Sequence, residues 1–337
     1  MLYTKAEAGE ILWSIRECSK EILRHYSIPE SPGAKTRPWS EGSPKGIIFH
    51  YTAGVDWKNS ASWLNGGHNP NSSCHFLILD RYLKEADAIC SKYPILDNMP
   101  VLILQLADLD KGTWHATWVN GLCIGIENRN VGILRKRGNG WVWWPNNWSA
   151  KFPSDSLGKI PIEIDGQWWE PFTLGQIAAN ILLGQILYCY YEGKLDPSWI
   201  LPHSAVASQK MDTGRAFPLH NVREAITSQT PFERLGWLYN GSVNWEFSHQ
   251  YEGRQGDCVD FKRLTDSSPW REKLDVIRSA LHRLGYHVGC DNKDYDEVTE
   301  RAVYIFQRSA DLEADSIPGP KTQAALYARL KDFKLEK

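Results

Sequence analysis

At 337 residues the chain is long enough for two domains, and 42% hydrophobic against 23% charged residues is ordinary globular composition, able to bury a core. A net charge of -2 gives no electrostatic case for nucleic acid or an anionic membrane surface, so a polymeric partner would be recognised by shape and stacking. Cys18, Cys74, Cys90, Cys123, Cys189, Cys258 and Cys290 are scattered, odd in number and without CxxC spacing, which argues against a disulfide framework and for folding in a reducing compartment. The first residues show no basic region followed by an apolar core, and no later run approaches the length of a membrane span. The expectation is synthesis in the cytoplasm as a soluble protein without a signal peptide.

In chain order, residues 6–26 place Ile11, Leu12, Ile15, Cys18, Ile22 and Leu23 at helical spacing, which predicts an amphipathic helix. Residues 27–46, rich in Pro, Gly and Ser, predict a loop that completes an N-terminal arm packed against the domain that follows. Residues 46–51 read as a buried strand carrying His50 at its polar end, and residues 56–65 as a short helix capped by Asp56. Further strands are predicted over 73–80, with His75 on one face, over 101–106 and over 122–128. In the last of these the period of two sets Cys123, Gly125 and Glu127 opposite Ile124 and Ile126, so a carboxylate projects where its neighbour's side chain is only a hydrogen. Residues 173–193 form the clearest helix, with a Thr173/Gln176 capping box and Gly193 to end it. Strands mixed with helices predict an α/β domain with a central mixed sheet flanked by helices.

Residues 131–171 are too long for a plain connection, and six of the sixteen tryptophans lie there: Trp141, Trp143, Trp144, Trp148, Trp168 and Trp169. Two readings stay open, a hydrophobic minicore under a long loop and an aromatic wall for a glycan or peptide. After an irregular connector, helical stripes return with Leu274, Ile277, Ala280, Leu281 and Leu284, then Val298, Ala302, Ile305 and Phe306, then Ala324, Ala325 and Leu330. They predict a small all-α three-helix bundle.

Residues 201–218, LPHSAVASQKMDTGRAFP, carry His203, Lys210 and Asp212 in a polar stretch with neither helical nor strand period. Imidazole and carboxylate are ordinary ligands of a divalent metal such as zinc, a lysine beside them could steady an oxyanion, and His50 is the best third donor. Singly, each histidine reads sooner as structural or surface than as a ligand, Glu127 as a strand-end carboxylate in water, and Lys210 as a solvated cation.

FHYTAG, SSCHFLILD, TWHA, IGIEN and HSAVASQKMDTGRAFP occur in an order and at separations that resemble the zinc-dependent N-acetylmuramoyl-L-alanine amidases, whose fold is shared with peptidoglycan recognition proteins. LHRLGYHVGCDNKDYDEVTERAVYIFQRSADLEADSIPGPKTQAAL resembles the three-helix peptidoglycan-binding module attached to such enzymes. The resemblance implies Zn2+ held by His50, His203 and Asp212, Glu127 as general base and acid, and Lys210 polarising the carbonyl. It also implies substrate contacts from His115, His75 and Trp114. Where some members carry a tyrosine before the second-strand histidine this chain has Cys74, which points to the subgroup using glutamate; the usual proline after the liganding aspartate is Thr213.

The expected organisation is an N-terminal helix and loop (1–44), a catalytic domain (45–226) with its Trp-rich insertion, a connector (227–269) and a peptidoglycan-binding domain (270–332). The expected activity is cleavage of the amide between N-acetylmuramic acid and the stem peptide's L-alanine. The expected setting is that of a monomeric phage lysin or secreted antibacterial effector, acting on the cell wall or periplasm after release or delivery. An effector would add an immunity protein or a secretion apparatus as a partner. The alternatives are a non-catalytic muropeptide recognition protein and a cytosolic recycling amidase acting on anhydro-muropeptides.

Overall fold

The computed structural model describes residues 1–28, 35–65, 69, 71–81, 83–97, 99–143, 159–164, 166–231, 259–288 and 295–332. Its centre is a five-stranded mixed sheet of β2 (Gly46–Tyr51), β3 (Phe76–Ile78), β4 (Ile103–Gln105), β6 (Cys123–Asn128) and β11 (Ile200–Pro202), in the order β11-β2-β6-β3-β4. β11, β2, β6 and β3 run parallel and β4 antiparallel, which is the mixed sheet expected. A two-stranded ribbon, β1 (Thr36–Arg37) with β5 (Gly112–Thr113), lies outside it.

A parallel sheet is covered on both faces, and here alternation along single strands feeds two separate cores. Ile47, Phe49, Ile124, Ile126 and Ile200 face one core. It is built with α1 (Lys5–His25), α2 (Trp57–Leu64), α3 (Lys84–Cys90), α4 (Leu174–Tyr190) and α6 (Leu219–Ser228). Ile48, Cys123 and Leu201 face the other core, with α5 (His203–Val206) and four helices of the C-terminal region. Those four are α7 (Phe261–Thr265), α8 (Leu274–Arg283), α9 (Glu297–Ser309) and α10 (Pro320–Asp332). The C-terminal domain is therefore packed on the central sheet and shares a core with it. Among the described residues no helix is long and apolar enough to cross a membrane.

The strongest local signals map directly onto elements. Thr4 and Glu7 close a capping box at the start of α1, and Thr173 and Gln176 do so for α4. α4 ends at Tyr190, before the left-handed Gly193 at φ +73°, because the C-cap is Tyr191. In α10 the core contacts come from Leu326 and Leu330, whereas Ala324 of the expected stripe is exposed. The stretch 201–218, which shows neither helical nor strand period, contains the end of β11 and all of α5. Three- and four-residue elements show no period, and pairing with β2 creates the strand.

The tryptophan-rich insertion is a four-stranded antiparallel sheet of β7 (Ile133–Arg137), β8 (Gly140–Trp143), β9 (Ile162–Ile164) and β10 (Gln167–Trp169), in the order β8-β7-β10-β9. Trp143 and Trp169 are buried and Trp141 and Trp168 half-buried, while Trp144 and Trp148 lie outside the described residues. A buried ion cluster clamps this sheet to the main domain: Arg129 Nη1 lies 2.6 Å from Glu170 Oε1 and 3.1 Å from Asp80 Oδ2, and Lys159 Nζ 3.0 Å from Glu170. Nothing in the sequence pattern signalled it.

Candidate metal centre

The chemistry sits at the carboxyl ends of the parallel strands, where α/β sheets present their clefts. Register alone brings the groups together: His50 of β2 is the direct neighbour of Glu127 of β6, and Pro202 pairs with Phe49, so His203 emerges beside His50. Asp212 reaches the same point because its carbonyl accepts from Ser204 N at 2.7 Å, folding the loop back on α5. Beneath that loop Gly214, at φ +74°, rests on Trp169; a Cβ there would stand 2.3 Å from the indole. The peptide Asp212–Thr213 is cis.

His50 Nδ1, His203 Nδ1 and Asp212 Oδ2 form a small triangle with edges of 3.1, 3.1 and 2.9 Å. The tautomers follow from the partners. His115 Nε2 is 3.0 Å from the carbonyl of Cys123, which can only accept, so Nε2 carries the hydrogen. Burial, with His50 and His75 adding to it, holds His115 well below the ordinary histidine range, so the ring is neutral and its Nδ1 bare. Nδ1 must then accept from His50 Nε2 at 2.8 Å. His50 is pushed down to about 4 by burial and by His203, against the opposing pull of Asp212, so it too is neutral. Its Nδ1 therefore points a lone pair into the triangle.

Burial alone would raise Asp212, but the charge of His203 and the bond from His203 carry it below the ordinary carboxylate range. Three electron-pair donors thus face one another with at most one hydrogen between them, on His203 Nδ1. A hydrogen can bridge only one pair, and the rest repel unless a cation stands among them. Two imidazoles and a carboxylate are a zinc-type donor set that leaves a position for water or substrate, so the residues fit that metal.

Glu127 is buried, and its Oε2 has no hydrogen-bond partner. Burial first, then the charge of Asp212, push it up to about 8, with Lys210 opposing. Lys210 is exposed, and its charge is felt at both His50 and Glu127.

The three residues expected at the substrate have these surroundings. His75 is fully buried and stacked on Trp39: its Nε2 donates to the Lys111 carbonyl at 2.9 Å, and its Nδ1 accepts from Gly125 N–H at 3.0 Å. It braces the sheet and has no nitrogen left for a ligand. Both nitrogens of His115 are likewise engaged, so it orients His50. The ring occupies the space Gly125 leaves open, where a Cβ would meet His115 Cγ and Nδ1 at 2.8 Å. The missing side chain between Cys123 and Glu127 was visible in the sequence; its occupant was not. One face of Trp114 is covered by the Lys35 ammonium, 3.7 Å from the ring centre. The expected metal donors converge, and Glu127 and Lys210 stand near them.

Residues 40–215 match the family model described as N-acetylmuramoyl-L-alanine amidase, and residues 271–326 match the putative peptidoglycan binding domain. No curated protein matches. Among solved structures, a complex of the N-acetylmuramyl-L-alanine amidase AmiD from E. coli with its substrate anhydro-N-acetylmuramic acid-L-Ala-D-gamma-Glu-L-Lys is 22% identical, over 86% of this chain and 90% of that one, with a TM-score of 0.40.

Proposed function

The chain belongs to the N-acetylmuramoyl-L-alanine amidase family, and we propose that it is a zinc enzyme hydrolysing the amide between the lactyl group of N-acetylmuramic acid and the stem peptide's L-alanine. It is a peptidoglycan amidase that also carries a peptidoglycan-binding domain. The observation that carries the metal reading is the triangle of His50, His203 and Asp212, three donors with too few hydrogens to satisfy one another. Zinc held there would acidify water to a pKa of about 7 and polarise a carbonyl.

The remaining work falls to side chains. Glu127, buried beside the triangle and shifted toward neutrality, takes the proton from the water that attacks the lactyl carbonyl carbon. As the carbon–nitrogen bond breaks, Glu127 passes that proton to the departing amine of L-alanine. Lys210 places positive charge where the carbonyl oxygen gains negative charge. His115 holds the His50 tautomer throughout.

A binding domain fused to the catalytic sheet suits an insoluble polymer, since holding the wall raises the effective concentration at the cleft. We therefore place the activity on intact wall, in the setting of a phage lysin or a delivered antibacterial effector. Incubation with purified sacculi should release stem peptides with a free L-alanine amino terminus. A chelator should stop release and added zinc restore it. Activity indifferent to chelation would end the zinc assignment, and faster turnover of soluble anhydro-muropeptide than of sacculi would end the wall assignment.

A further inference from the structure

α5, which presents His203, has only four residues, closed by the bond from Ala207 N to His203 O at 3.0 Å. A single turn cannot hold itself in water, so its geometry is set by what grips it. Its start is tied to Asp212 through Ser204. Its last two carbonyls are taken by aromatic donors from elsewhere: Trp118 Nε1 donates to Val206 O at 3.1 Å, and Tyr286 Oη donates to Ala205 O.

Trp118 belongs to the catalytic domain, but Tyr286 belongs to the C-terminal domain. It follows the α8 turn, is fully buried, packs edge-on against Phe306 and is fixed by its own N–H to Leu281 O at 3.1 Å. The neighbouring residue closes the same seam. Gly285, at φ +91°, lies so near Pro202 that a Cβ would meet its Cγ at 2.7 Å. Arg223 of α6 donates from Nη2 to the carbonyls of both Ile200 and Gly285 at 2.6 Å. The segment from Ile200 to Val206, with His203 near its middle, is thus gripped by the wall-binding domain at Pro202 and Ala205, and by Arg223 and Trp118 of the catalytic domain at Ile200 and Val206.

We propose that this domain is a structural half of the metal centre as well as an anchor, with Tyr286 acting as a positioning residue for His203. This rests on the reading of His203 as a metal ligand. Tyr286→Phe in the full chain removes one hydroxyl and leaves the ring seated. It is expected to weaken zinc affinity about 10-fold in competition with a chromophoric chelator, as loss of groups that orient metal ligands does. It should also lower kcat on a soluble muropeptide without changing KM, because anchoring plays no part with that substrate.

Gly285→Ala, whose Cβ would press on Pro202 Cγ at 2.7 Å from the same domain, is expected to act in the same direction, so the test survives if Tyr286→Phe folds poorly. Arg301→Ala breaks the exposed Arg301–Asp196 ion pair across the same interface and should leave zinc affinity and kcat unchanged. Wild-type zinc affinity in folded Tyr286→Phe, or an equal loss in Arg301→Ala, overturns the proposal. A wild-type chain that binds no zinc would instead overturn the metal reading itself.

Discussion

Gly125→Ala is a one-carbon change that the structure turns into a test of the His115–His50 relay. The new Cβ would stand 2.8 Å from Cys74 Sγ on one side and 2.8 Å from His115 Cγ and Nδ1 on the other. Ordinary contact requires about 3.5–4.0 Å, so something must move by roughly 1 Å. Cys74 is fully buried and cannot retreat without displacing the core. The His115 ring is the softer neighbour, but it is held at both nitrogens, by Cys123 O at 3.0 Å and His50 Nε2 at 2.8 Å. Displacing it breaks the bond that fixes the His50 tautomer.

Overpacking of this kind costs about 1–3 kcal/mol of stability, and losing the partner of a liganding histidine costs about 10–100-fold in metal affinity. Chelator competition reads the second quantity and urea unfolding of the metal-free protein the first. Because the two effects come from one atom, both should appear together. Wild-type zinc affinity in a destabilised Gly125→Ala would refute the relay, showing that His50 keeps its orientation without His115.

Glu127→Gln keeps size and polarity but cannot carry the proton, so stem-peptide release from sacculi should fall about 10²–10⁴-fold while zinc content and wall binding persist; undiminished release would remove Glu127 from the mechanism. Glu170→Ala leaves Arg129 and Lys159 buried without their main partner and should cost about 3–5 kcal/mol in urea unfolding, an unchanged midpoint being the contrary result. The domain seam should weaken in acid. His282 and His287 are pushed down to about 4, and His220 is held well below the ordinary histidine range, first by burial and then by neighbouring histidines and arginines, with Asp196 and Asp296 opposing this at His287. Below the ordinary 6.5 the unfolded chain takes up protons that the folded one refuses, so stability is full above that pH and declines toward about 4, by about 1.4 kcal/mol per pH unit for each histidine. Melting temperature should drop between pH 7 and pH 5, and His282→Gln should flatten the slope; an unaltered slope would clear His282 of any part in it.

The amino-acid order by itself determined whatever rests on local chemistry and short-range period. A capping box declares the start of α4, alternation declares β6 and the side on which Glu127 lies, and the motifs around His50, His203 and Asp212 name the donors. Only the tertiary structure decided what those donors mean to one another. The hydrogen chain from Cys123 through His115 to His50 depends on strand register and on the space above Gly125, and that space was legible while its occupant was not. β11 and α5 escaped notice because three or four residues cannot express a repeat, and they exist through pairing with β2 and the grip of Trp118 and Tyr286. The bundle was readable as a bundle, yet its seat on the catalytic sheet was not, since Tyr286 and Arg223 act on carbonyls far away in the chain. Period and propensity report on neighbours along the backbone, whereas a metal centre is set by atoms that only folding makes neighbours.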